Sequence, residues 1–387
     1  MKDPNKKLGI IGTVGVPAKY GGFETLVHYL VKNLNQQIDI TVYASKKAYS
    51  KEERVEEWNG AKLKYIPLKA NGIQSIFYDI FSIFHALIYC DVLLVLGVSG
   101  CIILPFVKLF SKKKIIVNID GLEWRRPKWN KAIRMFLLFS ERIACKYADE
   151  IVTDNQILKE YVKIRYNTNG RLIEYGADHN AKVSSTPKDF ERYPFLARKY
   201  GFKVSRIEPE NNIHVILDAF SAYPEHELVL VGNWDNSSYG RKLKAKYKVY
   251  RNLHILDPIY ELEELNLLRS NAHYYVHGHS AGGTNPSLVE AMYLELPVLS
   301  FDVIYNRCTT NNEAIFFSDG FELQTQIRQL DQLPLRLVAR KLKRYAEKKY
   351  LWRKIAYRYA ALIQGTHVER TTQHFKAKTE DVALSEY

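Results

Sequence analysis

Residues 8–44 read LGIIGTVGVPAKYGGFETLVHYLVKNLNQQIDITVYA. Two short apolar runs, LGIIG at 8–12 and DITVYA at 39–44, enclose a helical segment, ETLVHYLVKNL at 24–34. In that segment Leu26, Tyr29, Leu30 and Leu34 fall on one face of a 3.6-residue period, so the stretch reads as a βαβ unit. The same alternation recurs downstream. Ile73, Ile76, Phe77, Ile80, Ile83, Phe84 and Leu87 step by three and four, predicting a helix over 73–89 with a wide apolar face. The runs DVLLVLG, KIIVNID at 114–120 and DEIVTD at 149–154 follow as strands.

The pattern weakens around 180–200, where HNAKVSSTPKDFERYPF is polar, and then restarts. FKVSRI (202–207), ELVLVGN (227–233), NLHILD (252–257), HYYVHG (273–278) and PVLSFD (297–302) are expected strands, separated by helices. Strands alternating with helices imply doubly wound parallel sheets, here an α/β chain of two such domains. The expected division is an N-terminal domain over 1–184, a second over 185–348, and a helix over 349–387 that packs back toward the first and ends in a polar tail. A chain of 387 residues suits two domains better than one core.

Composition narrows the class. With 47% hydrophobic and 25% charged residues the chain is globular, and a net charge of +14 points to an anionic partner. Cys90, Cys101, Cys145 and Cys308 are widely spaced, which disfavours a zinc ribbon or a disulfide scaffold and fits a reducing compartment. The start MKDPNKKLGIIG has no apolar signal core, so export is not expected. VLLVLGVSGCIILPFV at 92–107 is uncharged, but it is short of a bilayer span and broken by Gly97, Ser99, Gly100 and Pro105. A buried strand, a glycine turn and a helix account for it better. A nucleic-acid module would need stacking aromatics on exposed strands or a recognised helix motif, and neither is found.

In doubly wound sheets ligands sit beyond the carboxyl ends of the strands. The first such loop, GTVGVPAKYGGFE at 12–24, offers Gly15, Gly21 and Gly22 beside a helix start, where backbone can approach an anion. It is not GxGxxG, which disfavours a nicotinamide site; a turn needing glycine for geometry alone is the competing reading. The second is SRIEPENNIHVILDAF at 205–220, where Arg206 would emerge at a strand end able to grip a diphosphate, or else pair with Glu208 or Glu210 as a surface residue. The third, HGHSAGGTNPSLVEAM at 277–292, closes a strand at His277 and opens a helix at Pro286. Gly283, Thr284, Asn285, Pro286 and Ser287 surround that helix start, and Glu290 lies one turn in, where a carboxylate can accept from a vicinal diol such as ribose. A metal site is disfavoured, because no third ligand is near in sequence.

Together these pieces resemble the family 4 glycosyltransferases of the GT-B fold over about residues 7–364. Gly21, Gly22 and Glu24 match the Gly-Gly-x-Glu helix start of that family, and Tyr175 to Asp178 loosely match its Asn-Gly-Val-Asp. Arg206 with PEN at 209–211 matches the Arg and Pro-Glu-Lys motif, with Asn211 in place of lysine. Glu290 matches the second glutamate of the Glu, seven residues, Glu signature, and Gly282 stands where the first belongs. VPAKYGGFETLV, NIDGLEW, RIEPENN, VGNW, GHSAGGTNPSLVEAM and FDVIYNR, in that order, are similar to the bacterial subgroup of rhamnosyltransferases that build capsule and cell-wall polysaccharide.

The resemblance implies two Rossmann-like domains facing across a cleft, and retaining sugar transfer without a metal or other cofactor. The nucleotide-sugar, dTDP-L-rhamnose, would be a substrate, and a polyprenyl-diphosphate-linked saccharide the acceptor. It implies Arg206 and the 283–287 loop on the donor diphosphate, Asn211 beside them, Glu290 on the ribose, and Asp120 holding the donor sugar or orienting the acceptor hydroxyl. Glu123, Trp124, Arg125, Arg126, Lys128 and Trp129, within a basic and aromatic stretch over 112–139, suit an anionic bilayer on the inner face of the plasma membrane. A solvated helix face over a core stripe is the plainer reading of that stretch. Another UDP- or GDP-sugar donor, or a non-catalytic nucleotide-sugar sensor, stays open because Gly282 and Asn211 depart from the family pattern.

Overall fold

A computed structural model describes residues 6–18, 21–119, 121–126 and 129–366. The chain divides into two compact units, Met1–Tyr175 with Trp352–Tyr387, and Gly176–Leu351.

The first unit carries β1 (Lys7–Ile11), α1 (Gly22–Leu34), β2 (Asp39–Ser45), β3 (Glu57–Trp58), β4 (Ala61–Ile66), α2 (Gln74–Tyr89), β5 (Val92–Leu96) and α3 (Leu104–Phe110). Then come β6 (Lys114–Ile119), α4 (Lys131–Tyr147), β7 (Glu150–Thr153), α5 (Gln156–Tyr166) and β8 (Arg171–Leu172). Its sheet runs β3-β4-β2-β1-β5-β6-β7-β8, parallel except where β3 pairs antiparallel with β4. All five residues of β5, VLLVL, are buried, because helices cover both faces of a parallel sheet. The segment at 92–107 is thus a strand, a turn and a helix start, and among the described residues no helix is long and apolar enough to cross a membrane.

The second unit holds α6 (Pro187–Arg192), β9 (Tyr200–Val204), α7 (Ile213–Ser221), β10 (Glu227–Val231), α8 (Ser238–Tyr247), β11 (Leu253–Leu256) and α9 (Leu262–Ser270). It continues with β12 (Tyr274–His277), α10 (Pro286–Tyr293), β13 (Val298–Phe301), α11 (Ile304–Thr309), β14 (Ile315–Phe317), α12 (Gly320–Arg328) and α13 (Leu335–Lys349). The six strands lie in the order β11-β10-β9-β12-β13-β14 and are all parallel. Ile216, Leu217 and Phe220 of α7 pack with Leu228, Leu230 and Val276 in one core. Each such side chain contributes about 1.5–3 kcal/mol on leaving water. Gly201 leaves room for the Tyr274 ring, since a Cβ there would lie 2.6 Å from it.

The last described helix, α14 (Trp352–Gln364), belongs to the first unit. Trp352 stacks on Tyr29 with ring centroids 4.6 Å apart, Tyr359 accepts from the Asn118 amide at 2.7 Å, and Arg358 pairs with Glu174 at 3.1 Å. Buried polar partners at both ends of the contact fix its register, because leaving any one of them unpaired would cost a desolvation penalty.

One expectation changes, and one is completed. The strand expected at 202–207 spans Tyr200–Val204, so Arg206 lies in the loop beyond it. The apolar face of α2 is also not its buried face. Tyr78, Asp79, Ser82, Ile83 and Ala86 turn inward, while Phe77, Phe81 and Phe84 are exposed. Most of the inward polar atoms are hydrogen-bonded: the Tyr78 hydroxyl donates to the carbonyls of Thr13 and Tyr43 at 2.9 and 2.7 Å, and Ser99 donates to Asp79 Oδ2, while Asp79 Oδ1 has no partner among the described residues. Hydrogen bonding of this kind lets a polar face be buried and frees the apolar one to face outward.

Candidate functional site

In the second unit the strand order reverses between β9 and β12, because β9 leads outward to β10 and β11 while β12 returns on its other side. Loops leaving the carboxyl ends of two such strands diverge and open a crevice. Arg206 leaves β9 there, and the 278–285 loop leaves β12 beside it.

The two loops are stitched together. Asn211 donates from Nδ2 to the Arg206 carbonyl at 2.9 Å, and its Oδ1 lies 2.9 Å from His279 Nδ1. Asn212 donates to the Gly278 carbonyl at 2.9 Å, and Ser280 gives both its N–H and its hydroxyl to the Glu210 carbonyl. Asn306, from α11, holds the His279 carbonyl at 2.8 Å. Gly278 permits the approach, since a Cβ there would stand 2.4 Å from the Asn211 carbonyl oxygen. Asn211 therefore braces the Arg206 loop, and the Arg206 side chain itself is exposed.

The glycine loop delivers a helix start. Asn285 caps α10, its Oδ1 accepting from the Ser287 N–H at 3.1 Å and the Ser287 hydroxyl at 2.8 Å, with Pro286 in the first turn. Tyr275 donates to the Ser287 hydroxyl at 2.8 Å, and Thr284 is buried. Gly283 has φ 90°, which a residue with a Cβ rarely adopts. The N–H groups of Gly282 and Gly283 enter none of the described hydrogen bonds, so they can donate to an anion.

Glu290 is 13% exposed and already engaged. Arg269 Nη2 donates to its Oε2 at 2.8 Å, and His179 Nε2 lies 3.4 Å from Oε1. Burial opposes the charged form, but the Arg269 guanidinium and then His179 outweigh it, holding the carboxyl below its usual range. Arg269 is itself almost fully buried and is braced by Asn180 at 2.8 Å. A carboxylate has about four acceptor positions, so capacity remains for a hydroxyl.

Sequence reasoning missed Arg269, His179, Asn180 and Lys203. The first three are joined to Glu290 by chain segments far apart in sequence, and no local pattern marks them. Lys203 did carry a signal, a lysine inside an apolar strand. It is 1% exposed, makes none of the described hydrogen bonds or ion pairs, and burial pushes its amine down to about 7. His277 is buried with neither ring nitrogen hydrogen-bonded, while the nearby Asn306 amide donates to the His279 and Phe301 carbonyls. Burial, then the Lys203 amine and His279, keep the imidazole neutral. Among the described residues no group of three or more His, Cys, Asp or Glu is placed to hold a metal ion.

The glycine loop of the first unit lies after β1, beside β5, at that sheet's own reversal of strand order. Gly15 and Gly21 have φ 137° and 128°, and Cβ atoms there would meet the Tyr49 hydroxyl at 2.9 Å and Glu24 Oε2 at 2.0 Å. Gly22 opens α1, and Glu24 in its first turn accepts from the Val14 N–H at 2.9 Å. That helix start thus already holds a carboxylate of its own chain.

Asp120 and Lys128 lie outside the described residues. Glu123, Arg126 and Trp129 bind one another, Arg126 Nε at 2.7 Å and Trp129 Nε1 at 3.0 Å from the Glu123 carboxylate. The Trp124 ring is flanked by the guanidinium groups of Arg125 and Arg165, 5.2 and 5.5 Å from its centroid. Of the neighbouring lysines, Lys108 pairs with Asp149 at 2.6 Å, Lys113 donates to the Cys90 carbonyl and Lys114 to the Leu362 carbonyl at 2.6 Å. These cations satisfy the protein's own acceptors.

Residues 186–348 match the family described as glycosyl transferases group 1, and residues 5–178 match a domain of unknown function, DUF1972. No curated protein matches the sequence significantly. Among solved structures, the chain is similar to a sucrose-phosphate synthase from Thermosynechococcus elongatus, with TM-score 0.79 and 16% identity over 93% of this chain and 98% of that one. It is also similar to Anabaena HepE in complex with UDP-glucose, with TM-score 0.72 and 13% identity over 93% and 99% of the two chains. A third likeness, with TM-score 0.70 and 13% identity over 93% and 100%, is to WaaG, a glycosyltransferase involved in lipopolysaccharide biosynthesis. The fold is GT-B, two parallel-sheet α/β domains, and the second of them carries the match to glycosyl transferases group 1.

Proposed function

We propose that the protein is a retaining glycosyltransferase that moves L-rhamnose from dTDP-L-rhamnose to a polyprenyl-diphosphate-linked saccharide in bacterial surface polysaccharide synthesis. The observation that carries the reading is the stitched pair of loops at the reversal point of a glycosyl transferases group 1 domain, with an exposed arginine on one and free N–H groups on the other.

The chemistry follows from those groups. Bond breaking at the anomeric carbon leaves negative charge on the diphosphate, and fixed cations and dipoles stabilise that charge without reorganising. Arg206 and the Gly282 and Gly283 N–H groups take that role, and no metal is assigned to it. The spare acceptor positions of Glu290 take the ribose hydroxyls, with Arg269 keeping the carboxylate charged and oriented. Asp120 holds the donor sugar or orients the acceptor hydroxyl. The enzyme works peripherally on the inner face of the plasma membrane, where a lipid-linked acceptor is presented.

The test is incubation with dTDP-L-rhamnose, UDP-glucose and GDP-mannose, each with a polyprenyl-diphosphate saccharide and with or without EDTA, reading product mass and anomeric configuration. A rhamnosyl product that keeps the donor's anomeric configuration, formed with EDTA present, supports the reading. Transfer from a UDP- or GDP-sugar alone would replace the donor assignment, and binding with neither hydrolysis nor transfer would make the protein a sensor.

A further inference from the structure

Among the described residues, the three helices α2, α3 and α4 present an exposed apolar surface. On α2, Ile73, just before its first turn, with Phe77, Phe81, Phe84 and Ile88 form one stripe at steps of four, four, three and four residues, each more than half exposed. On α4 the exposed stripe is Lys131, Met135, Phe139, Arg142 and Lys146, at the same spacing. Between them in the chain, α3 exposes Phe106, Leu109 and Phe110.

These stripes share one side of the sheet. The connections β4–α2–β5, β5–α3–β6 and β6–α4–β7 all step in the same direction along the strand order, and right-handed crossovers then place all three helices on one face. The helices α3 and α4 touch, and the Ser99 to Asp79 hydrogen bond ties α2 to the turn that enters α3. Apolar area of this extent on one face marks an interaction site.

Charge selects the occupant. The carboxylates on the three helices, Asp79 and Glu141, are both buried, and the exposed charges the helices carry, Lys131, Arg142 and Lys146, are all positive; of the exposed carboxylates just past their ends, Asp149 is paired with Lys108 and Asp91 accepts from the Lys7 N–H. A second copy would set cations against cations. An anionic bilayer accepts the aromatic rings below its headgroups and the cations among its phosphates.

We propose that the outer face of α2, α3 and α4 docks onto an anionic lipid surface, with the Phe77, Phe81 and Phe84 stripe inserted and the α4 cations at the headgroups. The inference rests on the membrane-side reading above for its purpose, and it moves the contact away from the Glu123, Arg126 and Trp129 cluster, which is occupied with itself.

The test uses the full chain with vesicles of phosphatidylcholine alone and of phosphatidylcholine with phosphatidylglycerol, at low and high salt, alongside the size of the free protein in solution. The expected result is sedimentation with the anionic vesicles that weakens with salt. The pair Phe77→Ser with Phe81→Ser should lower partitioning roughly tenfold or more. Arg142→Glu with Lys146→Glu should remove the salt-sensitive part. Both pairs are exposed, so unchanged urea midpoints certify folding. Equal binding by the Phe77→Ser, Phe81→Ser variant, equal binding to both vesicle types, or a dimer that this variant dissolves would each overturn the proposal. Nucleotide-sugar binding measured in solution separates the two readings: a protein that binds donor but no vesicle loses only the docking face, and one that binds vesicles but no donor loses only the transferase.

Discussion

Arg269 and Glu290 form a buried ion pair, 2.8 Å between Nη2 and Oε2, at the base of the glycine-loop helix. The pair joins structure and proposed site at this point, because the carboxylate proposed for the ribose is also what neutralises a buried guanidinium. Arg269→Met should therefore cost about 3–5 kcal/mol, since it strands a buried charge. The double variant Arg269→Met, Glu290→Leu should recover part of that loss. Urea unfolding of both variants checks the ordering, and equal losses would show that the pair is not coupled.

Arg206 gives the opposite signature. Its side chain is exposed and the loop is held by its backbone carbonyl, so Arg206→Ala should leave stability within about 0.5 kcal/mol. Removing a fixed cation from developing charge should lower kcat/KM about 10²–10³-fold. A variant that unfolds early with unchanged turnover would reverse the assignment.

Gly278→Ala tests the stitching. The added Cβ would meet the Asn211 carbonyl at 2.4 Å and Ile216 Cδ1 at 2.8 Å, so the loops must part. The expected cost is about 1–3 kcal/mol of stability together with weaker donor binding. Calorimetric titration with the nucleoside diphosphate reads the second effect; unchanged affinity would show that the spacing of the loops does not matter to the ligand.

Lys203 predicts a pH dependence. Burial lowers its amine from 10.5 to about 7, so between those values the unfolded chain binds the proton more tightly than the folded one and stability rises with pH. Below about pH 7 the folded protein bears the full burden of a buried cation. Lys203→Met should thus stabilise most on the acid side, on the order of a few kcal/mol, with the gain vanishing as pH approaches 10.5. Urea midpoints at pH 6 and pH 9 decide it; a gain independent of pH would mean the amine is not titrating.

Much of the architecture was legible. VLLVL and ELVLV read as buried strands because a parallel sheet covered on both faces needs continuous apolar runs. The helix start at Pro286 was visible from the asparagine, proline and serine that cap it. The strand AKLKYI was not read, since it alternates and carries lysines at the sheet margin, where a period of two competes weakly with its polar flanks. On α2 the period was right and the buried face was left undetermined, because periodicity shows that a helix has two faces and says nothing of which one the rest of the chain covers.

By itself the sequence determined the alternation of strands and helices, the positions of the loops after the strands, and Arg206 and Glu290 as candidates within them. Each of these is local, written in spacing and turn residues within a few positions. The tertiary structure alone decided that Asn211 bonds to His279, that Glu290 is shared with Arg269 and His179, and that the phenylalanines of α2 face outward. Such facts depend on which segments meet across the fold, and burial, pairing and desolvation exist only once they have met.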